Sequence, residues 1–313
     1  MRFLSAKLAP AGAGSPGRGD QAGCGAPARA FLKALDALGE AKQLDKITGP
    51  LQRFVRALPL GPYRAVLQGR PIGHPLHPVL VQVPIGAWTS AAVLDLVPGA
   101  GRNARLLVGM GVVSAVPAAW AGWVDWAEQP ERQLRTGVVH AASNGVAIGL
   151  YAGSWVARGR GRPAFGRLLG FAGLTVASVG GMLGGHLAFR QAVGSNKTEP
   201  IDHLVEPGWH AVGTAAEFPE GKGVRRMLGA VPLLVVREPD GGFHVLVDRC
   251  SHMAGPLSQG KVADGCVECP WHKSVFRLAD GRNVGGPATA PQPTFETRLT
   301  QEGALEVRLP TAV

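Results

Sequence analysis

Two short runs, Cys250-Ser251-His252 and Cys269-Pro270-Trp271-His272, decide how the C-terminal third of this chain folds. The 16 residues 253–268 separate them, so the spacing is C-x-H-x16-C-x2-H. Two thiols and two imidazoles grouped in this way are metal ligands by residue type. Cys266 stands three residues before Cys269, as in half of a zinc knuckle. A zinc site with two Cys and two His is therefore the alternative to an iron-sulfur site.

This spacing resembles the Rieske signature, and the likeness covers about residues 201–313, including Gly255-Pro256-Leu257 and Ser274-Val275-Phe276. The resemblance implies a 2Fe-2S cluster on two loops of a β domain, with two thiolates on one iron and two imidazoles on the other. Cys266 has no counterpart in the signature and is expected not to be a ligand. The ligands that the resemblance implies are Cys250, His252, Cys269 and His272.

The resemblance also indicates which kind of Rieske domain this is. High-potential members carry a disulfide between the two loops and a tyrosine near a ligand sulfur, and the matching positions here are Gly255, Trp271 and Phe276. Only Ser274 of the potential-raising residues is present. The resemblance therefore implies the low-potential ferredoxin type, toward about −150 mV, that serves oxygenases and reductases. Because no histidine follows His272, the mononuclear iron site of an oxygenase is not expected.

Short β-type runs surround these motifs. Val231 to Val236, Phe243 to Val247 and Leu305 to Leu309 are rich in valine, leucine and phenylalanine. Pro239-Asp240-Gly241-Gly242 is a typical hairpin turn. The pattern predicts a small antiparallel β domain over residues 205–313.

The composition indicates a membrane portion before this domain. Of 313 residues, 46% are hydrophobic and 17% are charged, which is few charges for a soluble protein. The formal net charge, counted as basic minus acidic residues, differs along the chain. It is 11 − 4 = +7 in residues 1–70, 10 − 5 = +5 in residues 71–200 and 11 − 13 = −2 in residues 201–313. Basic segments beside apolar spans face anionic lipid, and no nucleic-acid-binding motif is present, so nucleic acid is not an expected partner.

Four apolar stretches of about 19 to 22 residues follow the basic segment, each long enough to cross ~30 Å of hydrocarbon. Glycines spaced by four residues in the third and fourth stretches favour close helix packing. We therefore expect a membrane α-helical bundle of four transmembrane helices over residues 71–190. A buried soluble helical core is the alternative. The stretches are Val79 to Val97, Leu106 to Val124, Gly137 to Val156 and Leu168 to Phe189.

The segments outside the two domains have their own patterns. Residues 1–30 are rich in glycine, proline and alanine, which predicts disorder without a cleaved signal peptide, and Cys24 is expected to be a free thiol. Residues 31–70 show the spacing of one or two amphipathic helices. Residues 191–204 form a polar linker.

Histidines mark one end of the predicted bundle. His74-Pro75-Leu76-His77-Pro78, together with Asp125, His140 and His186, resembles the four-span membrane family DUF2231 over about residues 70–190. In an alternating topology these groups and the linker share one leaflet. His74, His77, His140 and His186 are thus a candidate second site for haem b, a metal or a quinone. The alternative is that they bond backbone or lipid, and haem b has no other support.

These observations predict a membrane-anchored Rieske protein that exchanges single electrons with a redox partner protein, a reductase or an oxygenase. A redox-sensing or structural module that regulates the membrane domain is the alternative. Lysine and arginine near the spans are balanced between the two sides. The +7 N-terminal segment has no signal peptide and is easier to leave in the cytoplasm. We therefore expect a multi-pass cell-membrane protein with lipid as a partner and the Rieske domain in the cytoplasm.

Overall fold

The computed structural model of the chain describes residues 26–310. The predictions of disorder and of a free Cys24 thiol before residue 26 lie outside the described residues. Helix α1 (Ala26–Glu40) begins inside the segment 1–30, and α2 (Asp45–Ala57) and α3 (Tyr63–Leu67) follow it. The amphipathic segment thus contains three helices where one or two were expected.

The amphipathic helices are attached to one end of a helical bundle by ion pairs. Arg135, buried in the bundle, donates to Asp45 at 2.7 and 2.8 Å. Arg190 donates to Asp36 at 2.7 and 2.6 Å. Val55 of α2 packs in an apolar cluster with Trp126 and other bundle residues. These contacts hold the basic segment against the end of the bundle at which the β domain begins.

The bundle contains one broken and three continuous helices. Three of its segments are long and apolar enough to cross a membrane: His77–Asp95, Gly101–Trp126 and Pro163–Arg190. The third predicted span lies in a 29-residue helix that carries several polar side chains, so the count of four spans stays a prediction. The helices are α4 (His77–Leu80), α5 (Gln82–Asp95), α6 (Gly101–Trp126), α7 (Glu131–Gly159) and α8 (Pro163–Gly185).

Only some of the glycines that were expected to allow close helix packing lie against a neighbouring helix. A Cβ added at Gly145 or Gly149 of α7 meets no atom within 4 Å, so these glycines do not bring two helices together. A Cβ at Gly180 of α8 falls 2.5 Å from the Asn144 side chain, and one at Gly184 falls 3.1 Å from the His140 ring. Gly180 and Gly184 therefore make room for polar side chains of α7, whereas a Cβ at Gly181 or Gly185 meets no atom within 4 Å.

The C-terminal part is all β, as predicted. The strands are β1 (His210–Thr214), β2 (Gly223–Leu228), β3 (Val231–Arg237), β4 (Phe243–Val247), β5 (Lys261–Ala263), β6 (Cys266–Glu268), β7 (Val275–Arg277), β8 (Asn283–Gly285), β9 (Thr294–Leu299) and β10 (Ala304–Arg308). One sheet has the strand order β1-β10-β9-β4-β3-β2, and a smaller one has the order β5-β6-β7-β8. The three predicted runs form β3, β4 and β10.

Strand β3 separates the two cores of the β domain. Leu233 and Val235 pack in one apolar cluster, whereas Leu234 and Val236 pack in the other. Both faces of the strand are covered, which explains its uninterrupted apolar sequence. The second cluster also contains Cys250 and Cys269. The core of the smaller sheet therefore holds the two loops that carry the sequence motifs.

Candidate iron-sulfur site

The first loop follows β4 and turns back on itself. The backbone N–H of Cys250 donates to Gly255 O at 2.9 Å, and the N–H of Ala254 donates to Cys250 O at 2.8 Å. Ala254 has a φ of +63°, in the left-handed region that non-glycine residues rarely adopt. The turn brings the thiol of Cys250 and the ring of His252 to the same end of the domain.

The second loop, between β6 and β7, repeats this geometry. The N–H of Cys269 donates to Ser274 O at 2.8 Å, and the N–H of Lys273 donates to Cys269 O at 3.1 Å. Lys273 has a φ of +60°, at the same step of the turn as Ala254. Two loops of the same backbone geometry thus each present one cysteine and one histidine.

The four side chains meet between the loops. Cys250 and Cys269 are buried, with 1% and 2% exposure, and their side chains are hydrogen-bonded to each other. The rings of His252 and His272 have centroids 5.0 Å apart and are perpendicular. Both cysteines are free of disulfides. The thiols therefore form the inner pair of the site, and the less buried imidazoles form the outer pair.

The electrostatics of this pocket suit metal ligation. The interaction between the two buried thiols lowers the pKa of Cys269 and raises that of Cys250. The backbone N–H groups of His252 and Met253 bond the Cys250 sulfur, and those of Trp271 and His272 bond the Cys269 sulfur. Such donors favour the thiolate form, which is the form that binds metals.

The histidines are also in the ligand form. Burial lowers the pKa of His252 to about 3 and lowers that of His272 as well, so both rings are neutral. The Nδ1 atom of His252 is buried, and no hydrogen-bond partner for it is present within residues 26–310. A buried ring nitrogen without a partner is costly unless a metal bond satisfies it. The residues present therefore fit a 2Fe-2S cluster, with two ligands for each iron.

A single metal ion fits less well. In the part of the chain that the structure describes, no three His, Cys, Asp or Glu side chains are placed to hold one ion. A tetrahedral zinc site needs four such ligands around one point. Cys266 lies in β6, opposite Arg277 of β7, and not in either loop. The structure therefore places Cys266 outside the pair of loops, and its expected absence from the ligand set stays a prediction.

Gln292 escaped the sequence analysis, and Ser274 has a structural role beside the one that the resemblance implied. Gln292 is almost fully buried; its side chain accepts from Ser251 N at 3.1 Å and donates to Val247 O and Arg249 O at 2.6 and 2.7 Å. It thereby fixes the first loop to the end of β4. Ala288 N donates to the hydroxyl oxygen of the fully buried Ser274 at 3.1 Å, which fixes the second loop. A glutamine between two prolines gives no sequence signal for this role.

The four membrane-domain histidines are not brought together. The Nδ1 of His77 bonds Ala118 O and that of His140 bonds Gly180 O, each at 2.8 Å, and the two rings lie 6.1 Å apart. His74 is exposed next to Pro75. His186 is buried, with Nε2 3.6 Å from a carboxylate oxygen of Asp36. Only His77 and His140 form a pair.

The loops face the end of the bundle. The N–H of Lys197 donates to Ser251 O at 3.0 Å, which holds the linker against the first loop. Trp271 and His272 of the second loop line a cavity of about 590 Å³ together with residues of α2, α3 and the end of α6. This cavity is named the junction cavity here. Its other lining residues are Arg56, Gly61, Pro62, Arg64, Ala65, Gln68, Arg70, Glu128, Lys273, Gly286 and Pro287.

A two-sheet β domain whose paired loops carry two cysteines and two histidines defines an iron-sulfur protein of the Rieske class. The family description "Rieske 2Fe-2S domain" matches residues 208–296, and "predicted membrane protein (DUF2231)" matches residues 73–197. The anthranilate 1,2-dioxygenase ferredoxin subunit of Burkholderia cepacia is 37% identical over 101 residues, which are 32% of this chain and 92% of that protein. The chain therefore belongs to the Rieske ferredoxin family, joined to a DUF2231 domain, and its cofactor is a 2Fe-2S cluster.

Other relatives match the same part of the chain. The 3-phenylpropionate/cinnamic acid dioxygenase ferredoxin subunit of Escherichia coli K12 is 34% identical over 98 residues, 31% of this chain and 90% of that protein. A solved structure described as a complex of reduced oxygenase and oxidized ferredoxin in carbazole 1,9a-dioxygenase contains a chain 28% identical to this one. The match covers 34% of this chain and 96% of that chain, with a TM-score of 0.31.

Proposed function

We propose that this protein is a membrane-anchored Rieske ferredoxin whose cluster is held by Cys250, His252, Cys269 and His272. The observation that carries the proposal is the pair of loops with the same backbone geometry, which bring two thiols and two imidazoles together. When bound, the cluster supplies one-electron transfer. The buried thiols hold its inner side away from water, whereas His272 lines the junction cavity and provides the route for electrons.

The partner follows from the relatives. The similar curated proteins are named as ferredoxin subunits of dioxygenases. We infer that the electrons pass to or from a separate oxygenase or reductase.

Three apolar helices and the DUF2231 match support anchoring in the cell membrane, with lipid as a partner. We place the membrane domain at residues 71–190, the linker at 191–204 and the Rieske domain at 205–313. The basic N-terminal segment is attached to the same end of the bundle as the linker. The preference of basic segments for the cytoplasmic side therefore supports a cytoplasmic Rieske domain.

A redox-sensing module is the second candidate, and one observation favours it. The second loop faces the junction cavity and the amphipathic helices, so the redox site is close to the membrane domain. If the protein is such a sensor, the oxidation state of the cluster regulates a membrane domain that binds haem, a metal or a quinone. A ferredoxin reacts in turnover with a soluble partner, whereas a sensor does not.

The first experiment is a redox titration of the purified full-length protein with optical and spin-resonance readout. We expect a brown protein with about two irons per chain and a Rieske-type signal at low potential. Cys269→Ala and His272→Ala should each lose the iron, because each removes a ligand. Cys266→Ser is the matched control and should keep the cluster. Stoichiometric zinc without iron, or loss of iron in Cys266→Ser alone, would contradict the ligand assignment.

A further inference from the structure

The junction cavity has an excess of positive charge. Arg56 in its wall pairs with Glu128 at 3.2 Å, and Lys273 pairs with Glu268 at 2.8 Å. Arg64 and Arg70 also line the cavity, and no carboxylate within the described residues lies within 4.0 Å of either. The lining side chains thus comprise four cations, Arg56, Arg64, Arg70 and Lys273, and one carboxylate, Glu128, and this excess of positive charge favours an anionic ligand.

Hydrogen bonds hold Arg64 in this wall. Its Nη2 donates to the carbonyls of Val55 and Arg56 at the end of α2 and of Leu58 just after it, at 3.1 to 3.2 Å. Its Nη1 is buried and has no hydrogen-bond partner within residues 26–310. The guanidinium is thus fixed beside the cavity, and because no carboxylate of the described residues lies within 4.0 Å of it, its positive charge can act on a bound anion.

The position of the cavity indicates where the anion comes from. The helices that form its wall carry exposed apolar side chains, among them Phe54, Tyr63 and Val66, which are 62%, 73% and 49% exposed. Apolar residues of this kind on a basic amphipathic segment are typical of a helix that lies in the interface of a membrane. The segment also directly precedes the first candidate span, which begins at His77. A cavity at that depth is within reach of lipid headgroups.

We propose that the junction cavity binds a phosphate-bearing anion, supplied by the headgroup of an anionic phospholipid, with Arg64 and Arg70 as its ligands. Trp271 and the other wall residues line an open cavity of about 590 Å³, within the ~300 to 1,000 Å³ of small-molecule sites. Anionic phospholipids present a phosphate at the membrane surface and, unlike zwitterionic ones, carry the net negative charge that a cationic wall attracts.

The proposed site lies next to His272, so the anion acts on the cluster. Reduction adds a negative charge to the cluster, and the nearby arginines stabilise that charge. An anion bound to Arg64 and Arg70 weakens their field and shifts the potential of the cluster to more negative values. This part of the inference rests on the proposed role of His272 as a ligand, whereas anion binding itself does not.

The test compares the full-length protein in nanodiscs of phosphatidylglycerol, nanodiscs of phosphatidylcholine, and detergent with added inorganic phosphate. Two quantities are measured: the anionic lipid retained per chain after delipidation, and the potential of the cluster. Arg64→Gln and Arg70→Gln should each weaken anion retention about tenfold, because each removes a charge-assisted hydrogen bond. The potential should be more negative in phosphatidylglycerol, and each variant should reduce this shift.

The matched control is Arg102→Gln, an exposed arginine at the opposite end of the bundle, which should behave as the wild type. A shift with phosphatidylglycerol alone identifies the headgroup as the source, and the same shift with inorganic phosphate identifies a soluble anion. Equal anion retention in the wild type, Arg64→Gln and Arg70→Gln overturns the proposal. A protein that retains lipid but holds no iron contradicts the ligand assignment and not the anion site.

Discussion

Gly255 shows how closely the two cluster loops pack. A Cβ built on Gly255 falls 3.0 Å from the Cys269 sulfur and 3.0 Å from the Trp271 ring, so the first loop has no space for a side chain there. The resemblance to Rieske domains implies that high-potential members carry a cysteine of their loop-bridging disulfide at this position. Here the contact between loops relies on the absence of a side chain.

We therefore expect Gly255→Ala to destabilise the site. Overpacking of this kind costs about 1–3 kcal/mol, and both contacted groups belong to the second loop, so iron content should fall together with thermal stability. Gly242→Ala is the matched control, because its added Cβ meets only the end of the flexible Asp240 side chain, at 3.2 Å. Iron content per chain and the unfolding temperature measure the effect. Wild-type values for both in Gly255→Ala would mean that the loops have room to separate.

At the scale of elements, the sequence predicted those strands that carry a periodic or compositional signal. Val231 to Val236 and Phe243 to Val247 are long apolar runs, and both form strands. Strands of three residues such as β5 and β8 are too short to show a period, and they became visible only in the structure. The candidate ligand residues could be proposed because a fixed spacing marks them, whereas Gln292 acts through a fold that brings distant segments together.

The sequence also provided no indication of the two loop residues whose backbone is in the left-handed conformation. Glycine usually marks that conformation, but Ala254 and Lys273 adopt it in this protein. The repeated turn imposes the conformation, and the hydrogen bonds that close each turn offset its cost of about 1–2 kcal/mol.

This repeated turn leads to a prediction for Ala254. Ala254→Gly should be neutral or up to about 1 kcal/mol more stable, because glycine adopts a φ of +63° without strain. Ala254→Val should lose about 1–2 kcal/mol and part of its iron, because a β-branched residue is strained there. Ala263→Val, in strand β5, is the control for added volume. Thermal unfolding with iron analysis measures the effect, and equal stability of Ala254→Val and wild type would refute the argument.

At the scale of the whole molecule, the sequence placed the linker and the membrane histidines at one end of the bundle. The structure keeps His77 and His140 as a pair and separates His74 and His186 from it. A one-dimensional pattern assigns histidines to a leaflet, but it does not give their rotation about each helix. Which histidines come together depends on helix packing, which places His77 against α6 and His140 against α8.

The His77–His140 pair is connected to the junction cavity through α6. A Cβ on Gly122 of α6 falls 2.8 Å from the His77 ring, and Glu128, just after the end of this helix, lines the junction cavity with His272. The helix from Gly122 to its end at Trp126 spans about 6 Å. A carbonyl oxygen only accepts, so Nδ1–H is the donor to it in both rings and Nε2 is left as an acceptor, with the Asn144 amide nitrogen 3.4 Å from the Nε2 of His140.

The last prediction follows from this proximity. If the pair binds a quinone or another redox group, the double variant His77→Ala/His140→Ala should keep its cluster content and potential but should be reduced severalfold more slowly by membrane quinols. His210→Ala is the matched control, because that ring lies on β1 and bonds only Glu206 O. Stopped-flow reduction of protein in quinol-containing vesicles measures the rate. An unchanged rate in the double variant means that both histidines serve packing, since their Nδ1–H bonds to Ala118 and Gly180 tie the helices together, and the bundle is then only an anchor.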